Sequence, residues 1–312
     1  MTGAPAHDSV LLLGFGGPTR RDEVRPFLDN VLRGKPAPRE RYEEVVRHYD
    51  EAGGSSPFNR LTFAQAESLR LLLSAEGPRL PVYVGMRHWE PYITDTLTEM
   101  AHEGRRRAVG VVLAAHRSPP SWEAYLASVD EARGRLGDSA PVVDYVAAWS
   151  DHPLLIEALA ERTLAAIASV PEARRGRARI VFTAHSIPTG MAERSGYTVG
   201  LRRTAGLLAG RLGVATWSLA FTSRSGNPSD PWLEPDIGDA LRTLQRDGAQ
   251  DVVVSPIGFL SDHVEVLYDL DIAARRTADG LGIGFFRAGT PGDHPSFIRM
   301  LAHVVRDMVT GG

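Results

Sequence analysis

The stretch Asp251-Val252-Val253-Val254-Ser255-Pro256 places three consecutive β-branched apolar residues between polar residues and a proline. A strand that is apolar at successive positions, rather than at every second one, is typical of a parallel sheet covered by helices on both faces. Similar short apolar runs recur along the chain and alternate with longer amphipathic stretches. This alternation predicts an α/β fold of the doubly wound type.

Eight such runs predict eight strands, four in each half of the chain. The predicted strands are Ser9–Leu13, Val82–Val84, Ala108–Ala114, Val142–Tyr145, Arg179–Thr183, Thr216–Ala220, Asp251–Pro256 and Ile283–Phe286. The predicted helices are Arg21–Arg33, Arg60–Leu73, Ile93–His102, Ser121–Leu136, Pro153–Ala168, Val199–Leu212, Asp236–Arg246 and Pro295–Thr310. A chain of 312 residues is long enough for two domains. We therefore predict two Rossmann-like halves, residues 1–150 and 151–312, each with a mainly parallel four-stranded sheet, around a central cleft.

The composition excludes several classes of protein. The chain has no cysteine, which excludes disulfides, thiolate zinc sites and cysteine-ligated iron–sulfur clusters. Its formal net charge of -3 lacks the basic excess that binds a phosphate backbone, so no nucleic-acid partner is expected. The sequence shows neither a signal-peptide pattern nor an apolar run long enough to span a bilayer. These features predict a cytoplasmic protein without an integral membrane segment.

A histidine ends the fifth predicted strand region, where residues of a doubly wound fold face the ligand. His185 is followed by Ser186-Ile187-Pro188, a sequence that turns the chain and leaves the imidazole available to the cleft. No G-x-S-x-G pattern surrounds Ser186, which argues against a serine hydrolase. His185 is therefore a candidate functional residue, and a structural histidine is the alternative interpretation.

Three carboxylates follow the seventh predicted strand. With Ser261 as the N-cap, Asp262, Glu265 and Asp269 are expected on one face of a helix. Apolar neighbours indicate that the helix is partly buried, and buried carboxylates need protons or a cation. The row is a candidate site for a divalent metal or a proton relay, with a solvated acidic face as the alternative.

Glycine-rich and aromatic segments follow the first two strands. Gly14–Pro18 lacks the spacing of a phosphate-binding loop, so its glycines are interpreted as allowing a tight turn close to a flat ligand or a neighbouring strand. Tyr49–Pro57 combines aromatic, polar and flexible residues, as expected of a lip over a large planar ligand. Gly85–Pro91 contributes an arginine, a histidine and an indole.

Six motifs together resemble those of the ferrochelatase family, in its order and along nearly the whole chain. They are Leu13–Pro18, Gly53–Pro57, Gly85–Pro91, Ala184–Pro188, Thr222–Pro235 and Gly258–Asp269. The resemblance implies a lyase of haem biosynthesis that inserts Fe2+, its substrate, into a porphyrin while two pyrrole protons leave. It implies no organic cofactor, and the absence of cysteine implies no iron–sulfur cluster.

The resemblance also assigns residue roles. His185 and Glu265 stand where the family keeps its invariant histidine and glutamate, which implies that they are the catalytic pair and the metal ligands. An imidazole can accept a pyrrole proton or hold iron, and a carboxylate opposite can perform the other task. Asp262 and Asp269 are the expected acidic relay. The positions expected to contact the porphyrin are Phe15, Arg33, His48, Tyr49, Ser56, His88 and Tyr125.

Several positions depart from the family pattern. Phe15 stands where some relatives carry a tyrosine that can ligate product iron, which phenylalanine cannot do. Leu32 and His48 replace arginines that could bind propionates, which leaves Arg33 and Arg47 as substitutes. Ala273 interrupts the row of carboxylates where relatives often place another acid.

The resemblance specifies the type of reaction, metal insertion into a porphyrin, but leaves more than one candidate for the porphyrin. Similarity to the soluble bacterial branch favours coproporphyrin III, with protoporphyrin IX as the alternative. Cobalt or nickel insertion into a tetrapyrrole and non-catalytic tetrapyrrole binding are further alternatives, because neither a His–Glu pair nor a fold fixes the activity. Transient contact with neighbouring enzymes of the haem pathway is also expected.

Overall fold

The computed structural model describes residues 6–33, 37–225 and 230–311. Residues 226–229 of the predicted motif Thr222–Pro235 lie outside the described residues. The chain divides into two compact units. Unit 1 contains the residues up to Ala114, Pro119–Trp149 and the residues from Asp293 onward. Unit 2 contains Ala115–Ser118 and Ser150–Gly292.

Unit 1 is built on a four-stranded sheet in which every neighbouring pair is parallel. Its strands are β1 Ser9–Gly14, β2 Val82–Met86, β3 Arg107–Val112 and β4 Val142–Tyr145, in the order β2-β1-β3-β4. Leu12 of β1 pairs with Val84 on one side and Val111 on the other. All six residues of β1 are buried, as expected of a central strand covered on both faces.

The helices of unit 1 surround this sheet. They are the 3-10 turns Arg21–Glu23 and Gly137–Ser139 and the helices α1 Val24–Val31, α2 Arg39–Glu51, α3 Phe58–Glu76, α4 Ile93–His102, α5 Glu123–Leu136 and, at the end of the chain, α13 Pro295–Thr310. On one face of the sheet, Leu97 and Met100 of α4 and Val129 of α5 pack against Leu11 and Leu13 of β1. These side chains form part of the hydrophobic core of the unit.

Unit 2 repeats the same sheet with the same strand order. Its strands are β5 Arg179–His185, β6 Trp217–Thr222, β7 Asp251–Ser255 and β8 Gly284–Arg287, in the order β6-β5-β7-β8, and all pairs are parallel. Val252, Val253 and Val254 are fully buried. The prediction of a doubly wound α/β fold with two parallel four-stranded sheets is therefore confirmed.

The helices of unit 2 are α6 Pro153–Ala168, α7 Glu172–Arg175, α8 Thr189–Ser195, α9 Tyr197–Leu212, α10 Ile237–Arg246, α11 Val264–Val266 and α12 Arg275–Gly280. Between α11 and α12 the chain forms a π-helix, Leu267–Ala274, in which the backbone bonds reach one residue further than in an α-helix. Leu270 and Ala274 of the π-helix are buried in the core of the unit. Among the described residues, no helix is long and apolar enough to cross a membrane.

The C-terminal helix lies in a different unit from the one that the sequence suggested. The domain boundaries expected from the sequence placed α13 in the second half, whereas its contacts with α3 and β3 assign it to unit 1. Arg306 of α13 donates to the carbonyl of Gly77 at 2.8 Å and to the carboxylate of Glu76 at 2.9 Å. These long-range bonds tie the end of the chain to α3, which no local sequence pattern reveals.

Candidate functional site

His185 is the last residue of β5 and lies at the carboxyl edge of the unit 2 sheet. Its Nδ1 atom is 2.5 Å from the carbonyl oxygen of Ser186. A carbonyl can only accept, so Nδ1 is the donor and carries the ring proton. In the neutral ring, this bond therefore places the lone pair on Nε2, the atom through which the imidazole can accept a proton or bind a metal.

Glu265 lies next to this lone pair. Its Oε2 atom is 3.6 Å from Nε2 of His185, and the two side chains are 47% and 30% exposed respectively. Two ligand atoms at this separation can both reach one first-row metal ion at about 2.1 Å. The pair can therefore hold a divalent cation or pass a proton.

The expectation that the carboxylate stands opposite the imidazole is wrong. Both residues belong to unit 2, and they lie side by side because β5 and the helix after β7 meet at the same edge of the sheet. Among the described residues, no group of three or more histidine, aspartate or glutamate side chains is arranged to hold a metal. Two protein ligands fill only part of the coordination sphere of a first-row ion, so an ion bound by His185 and Glu265 would keep positions open for another ligand.

His263 caps the helix that carries Glu265. Its Nδ1 atom accepts from the backbone N–H of Glu265 at 3.2 Å. Burial lowers the pKa of His263, with Glu265 acting in the opposite direction, so the ring is neutral and able to accept. The expected N-cap, Ser261, is therefore wrong, and the capping role of His263 could not be read from the sequence because histidine is uncommon among N-cap residues.

Asp269 lies in the π-helix and accepts a hydrogen bond from the hydroxyl of Ser223. Burial raises the pKa of Asp269 to about 7, and the nearby charge of Glu265 acts in the same direction, while the Ser223 hydrogen bond lowers it. A carboxyl group with this pKa gains and loses a proton near neutral pH. Asp269 is thus chemically suited to receive a proton from its surroundings.

Ser223 was not anticipated as a site residue. It follows β6 directly and has a φ of 60°, a left-handed backbone conformation that is uncommon for residues other than glycine. The hydroxyl of this residue donates to the carboxylate of Asp269. Backbone strain of this kind is often found at functional sites.

Asp262 does not belong to the carboxylate row. It precedes the N-cap His263, and its two oxygens accept from Nη1 and Nη2 of Arg287 at 3.1 and 3.3 Å. The prediction of three acids on one helical face is wrong for Asp262, because the helix begins later than expected and Arg287 draws this carboxylate to β8.

In unit 1, five rings lie close together: Phe15, Phe27, Tyr49, His88 and Trp89. The ring of Phe15 is 38% exposed and its centroid lies 4.5 Å from that of His88. Phe27 of α1 contacts Phe15 and Tyr49, each at 6.2 Å between centroids, and Trp89 at 6.0 Å. The structure thus brings the predicted residues Phe15, His88 and Tyr49 together. Phe27, which lies between Phe15 and Tyr49, was not among the residues predicted from the sequence.

The predicted lip begins in a helix and contains two buried side chains. Tyr49 and His48 belong to α2, and Tyr49 is buried. Ser56 is also buried, and its backbone N–H donates to the carbonyl of Pro18 at 2.8 Å. Gly16 has a φ of 88°, and a Cβ atom there would lie 2.9 Å from the backbone nitrogen of Trp89. A glycine at position 16 therefore allows the segment after β2 to lie close to the segment after β1. This agrees with the interpretation that the glycines allow a neighbouring segment to approach.

The remaining candidates of unit 1 lie outside the aromatic cluster. Tyr125 is buried in α5, where Arg87 lies 6.0 Å from its ring centroid, and burial raises the pKa of its hydroxyl. Arg33 is exposed and donates to the side-chain oxygen of Asn30 at 3.0 Å. His48 is half-buried, and burial lowers its pKa while Glu44, 3.8 Å away, raises it.

Comparison with known proteins gives consistent matches over nearly the whole chain. The pattern that defines the ferrochelatase family matches residues 7–309. The chain is similar to the ferrochelatase of Rhodopirellula baltica, with 40% identity over 98% of this chain and 88% of the relative. It is also similar to the coproporphyrin III ferrochelatase of Mycobacterium leprae, with 42% identity over 96% of this chain and 89% of the relative.

One solved structure gives a likeness of fold alone. SirB from Bacillus subtilis with Fe3+ has a TM-score of 0.63 and 14% sequence identity, and the match covers 98% of this chain and 96% of SirB. At this identity the match shows that both chains share one architecture and says nothing about their substrates.

Proposed function

The chain belongs to the ferrochelatase family, whose members insert ferrous iron into a porphyrin, and we propose that its porphyrin is coproporphyrin III. We further propose that His185 and Glu265 handle the iron and the protons. The observation that carries this assignment is the 3.6 Å separation of Nε2 and Oε2, with the His185 tautomer set by the carbonyl of Ser186.

The proposed reaction exchanges one Fe2+ ion for two pyrrole protons. His185 accepts the two pyrrole protons in succession and passes the first one onward before it takes the second, while the carboxylate of Glu265 binds the incoming ion and reduces its positive charge before the porphyrin nitrogens do so. The assignment of the two tasks can also be reversed, since both atoms can perform either. Asp269 is the proposed acceptor of a proton passed onward, because its pKa is about 7.

Residues of unit 1 are proposed to bind the porphyrin. The exposed ring of Phe15 and the adjacent ring of His88 offer an apolar surface to a flat macrocycle. Arg33 and His48, with the exposed Arg47, offer cationic partners for propionate groups. Ser56, Tyr49 and Tyr125 are buried, so their proposed role is to shape this surface.

Coproporphyrin III is preferred over protoporphyrin IX because the similar protein of Mycobacterium leprae bears that substrate in its name. Coproporphyrin III also carries more carboxylate side chains, which suits the cations named above. The cytoplasmic location and the transient contact with haem-pathway enzymes stay predictions.

The test is a two-substrate comparison under anaerobic conditions. Purified protein receives ferrous iron and either coproporphyrin III or protoporphyrin IX, and insertion is followed as loss of free-base fluorescence. We expect several turnovers with coproporphyrin III and a lower kcat/KM with protoporphyrin IX. The reverse preference would overturn the substrate assignment, and a loss limited to one equivalent would indicate binding without catalysis. Parallel reactions with Co2+ and Ni2+ would reveal a different metal preference.

A further inference from the structure

Arg287 is a largely buried cation that lies outside the candidate pair of iron ligands. It is the last residue of β8, at the same edge of the unit 2 sheet as His185, and its side chain is 13% exposed. Burial works against its charge, yet hydrogen bonds and charges from Asp271 and Asp262 outweigh burial and raise the pKa of the guanidinium. Arg287 is therefore a permanent positive charge held by two carboxylates.

The guanidinium contacts both carboxylates through pairs of hydrogen bonds. Nε and Nη2 donate to the two oxygens of Asp271 at 2.7 and 2.8 Å. Nη1 and Nη2 donate to the two oxygens of Asp262 at 3.1 and 3.3 Å. A planar fork of donors can make such paired contacts with two acids at once, whereas a lysine ammonium cannot.

The two carboxylates bracket the segment that carries the proposed iron-handling acids. Asp262 precedes the N-cap of the helix, and Asp271 lies within the π-helix. Glu265 and Asp269 lie between them in the chain. One side chain of β8 therefore fixes the segment on both sides of the two acids.

Part of the segment that Arg287 contacts is the π-helix, an uncommon backbone geometry. Such helices are rare and usually occur as short insertions at functional sites, because their backbone geometry is less favourable than that of an α-helix. A change of this segment to α-helical bonding would rotate Asp269 relative to Glu265. The paired bonds from Arg287 to Asp271 oppose this change.

We infer that Arg287 is a positioning residue for iron insertion, which holds the segment from Asp262 to Asp271 so that Glu265 faces His185. The inference rests on the proposed function. It assigns Asp262 a structural partner instead of a place in a proton relay. The hydrogen bonds of Arg287 go to Asp262, Asp271 and the carbonyl of Ala288, and none goes to His185 or Glu265, so its effect reaches the iron through the geometry of the segment.

The inference is tested with Arg287→Lys and Arg287→Gln in the full-length chain. Loss of a residue that orients metal ligands lowers metal affinity or activity by about ten- to a hundredfold. We expect kcat/KM for Fe2+ to fall by at least about tenfold in both variants, since lysine keeps the charge but not the paired bonds. The dissociation constant of free-base porphyrin, measured by fluorescence, should change by less than about twofold.

Arg275→Gln is the matched control. Arg275 lies on the same helical segment, donates to the backbone carbonyl of Phe285 at 3.1 Å and stacks over the Phe285 ring at 5.1 Å. Both of these contacts are with β8 and neither is with an acid of the π-helix. This variant should lower the unfolding temperature without changing kcat/KM for Fe2+.

Two outcomes would overturn the inference. One is near-normal iron kinetics in folded Arg287→Gln, and the other is an equal loss for iron and porphyrin, which would indicate general unfolding of the site. If Arg287→Gln does not fold, Asp271→Asn decides, because it keeps the shape and removes one acceptor pair; unchanged iron kinetics there would reject the inference. A wild-type protein without turnover would instead reject the proposed function.

Discussion

The two units share one strand order but differ in the side chains that follow their strands. In unit 1, β1 leads into the exposed ring of Phe15, which lies against His88. In unit 2, β5 ends at His185, and the helix after β7 brings Glu265 within 3.6 Å of its ring. The same architecture thus presents an apolar aromatic surface in one unit and a titratable pair in the other. We expect variants of unit 2 to change the rate of insertion and variants of unit 1 to change porphyrin affinity.

The sharpest test of this contrast is His185→Ala. General base catalysis contributes about a hundred- to ten-thousandfold to a rate, so kcat should fall by at least about a hundredfold. Porphyrin affinity, measured by fluorescence, should stay within a few-fold of the parent. His303→Ala, on the exposed side of α13, is the control and should leave kcat unchanged. Near-normal turnover of His185→Ala would remove this residue from the mechanism.

Glu265→Gln should have the second-largest effect. The amide keeps the shape of the side chain but loses the charge that binds Fe2+, and we expect kcat/KM for iron to fall by about a hundredfold. Glu193→Gln, at an exposed position of α8, removes an equal charge from unit 2 and serves as the control. A loss of only a few-fold would indicate that Glu265 is structural.

Phe15→Ala tests the other side of the comparison. Removal of an exposed aromatic contact with a flat ligand should raise the KM for porphyrin by about tenfold, since aromatic contacts are worth about 0.5–1.5 kcal/mol beyond the burial of apolar area. The expected change in kcat is much smaller. Phe63→Ala is the control, because Phe63 is 45% exposed on α3 and lies outside the aromatic cluster. If Phe15→Ala lowered kcat alone, the division of roles between the units would be wrong.

The sequence predicted the sheets better than the helices. Strands such as β7 were recognised because full burial leaves an unbroken apolar run. The helix α2 was missed because Arg39–Glu51 is rich in charged residues and has few apolar ones, so no strong apolar stripe was visible. The π-helix could not have been predicted, since it depends on contacts such as the one between Arg287 and Asp271 that are distant in sequence.

The candidate site was predicted in part. His185 and Glu265 were found through strand ends and motifs, whereas Asp262 was misplaced because the predicted helix began too early. Ser223 was missed because the predicted strand stopped at Ala220, and β6 in fact runs to Thr222. A small error in an element boundary therefore removed a residue at the sheet edge from the candidates.

The smallest expected effect concerns the stability of unit 2 rather than catalysis. The pKa of Asp269 is about 7 in the folded chain and 3.8 in the absence of the fold. Between these values the folded protein keeps a proton that the unfolded chain has lost, so stability falls as the pH rises from about 4 to 7.

Asp269→Asn removes this penalty, and Asp279→Asn at an exposed position of α12 does not. Because Asp269 is mostly but not fully buried and solvent screens part of the effect, we expect the gain in unfolding free energy to be about 1–2 kcal/mol at pH 8 and near zero at pH 4. Denaturant unfolding across this range measures it, and a gain that is constant with pH would contradict the raised pKa.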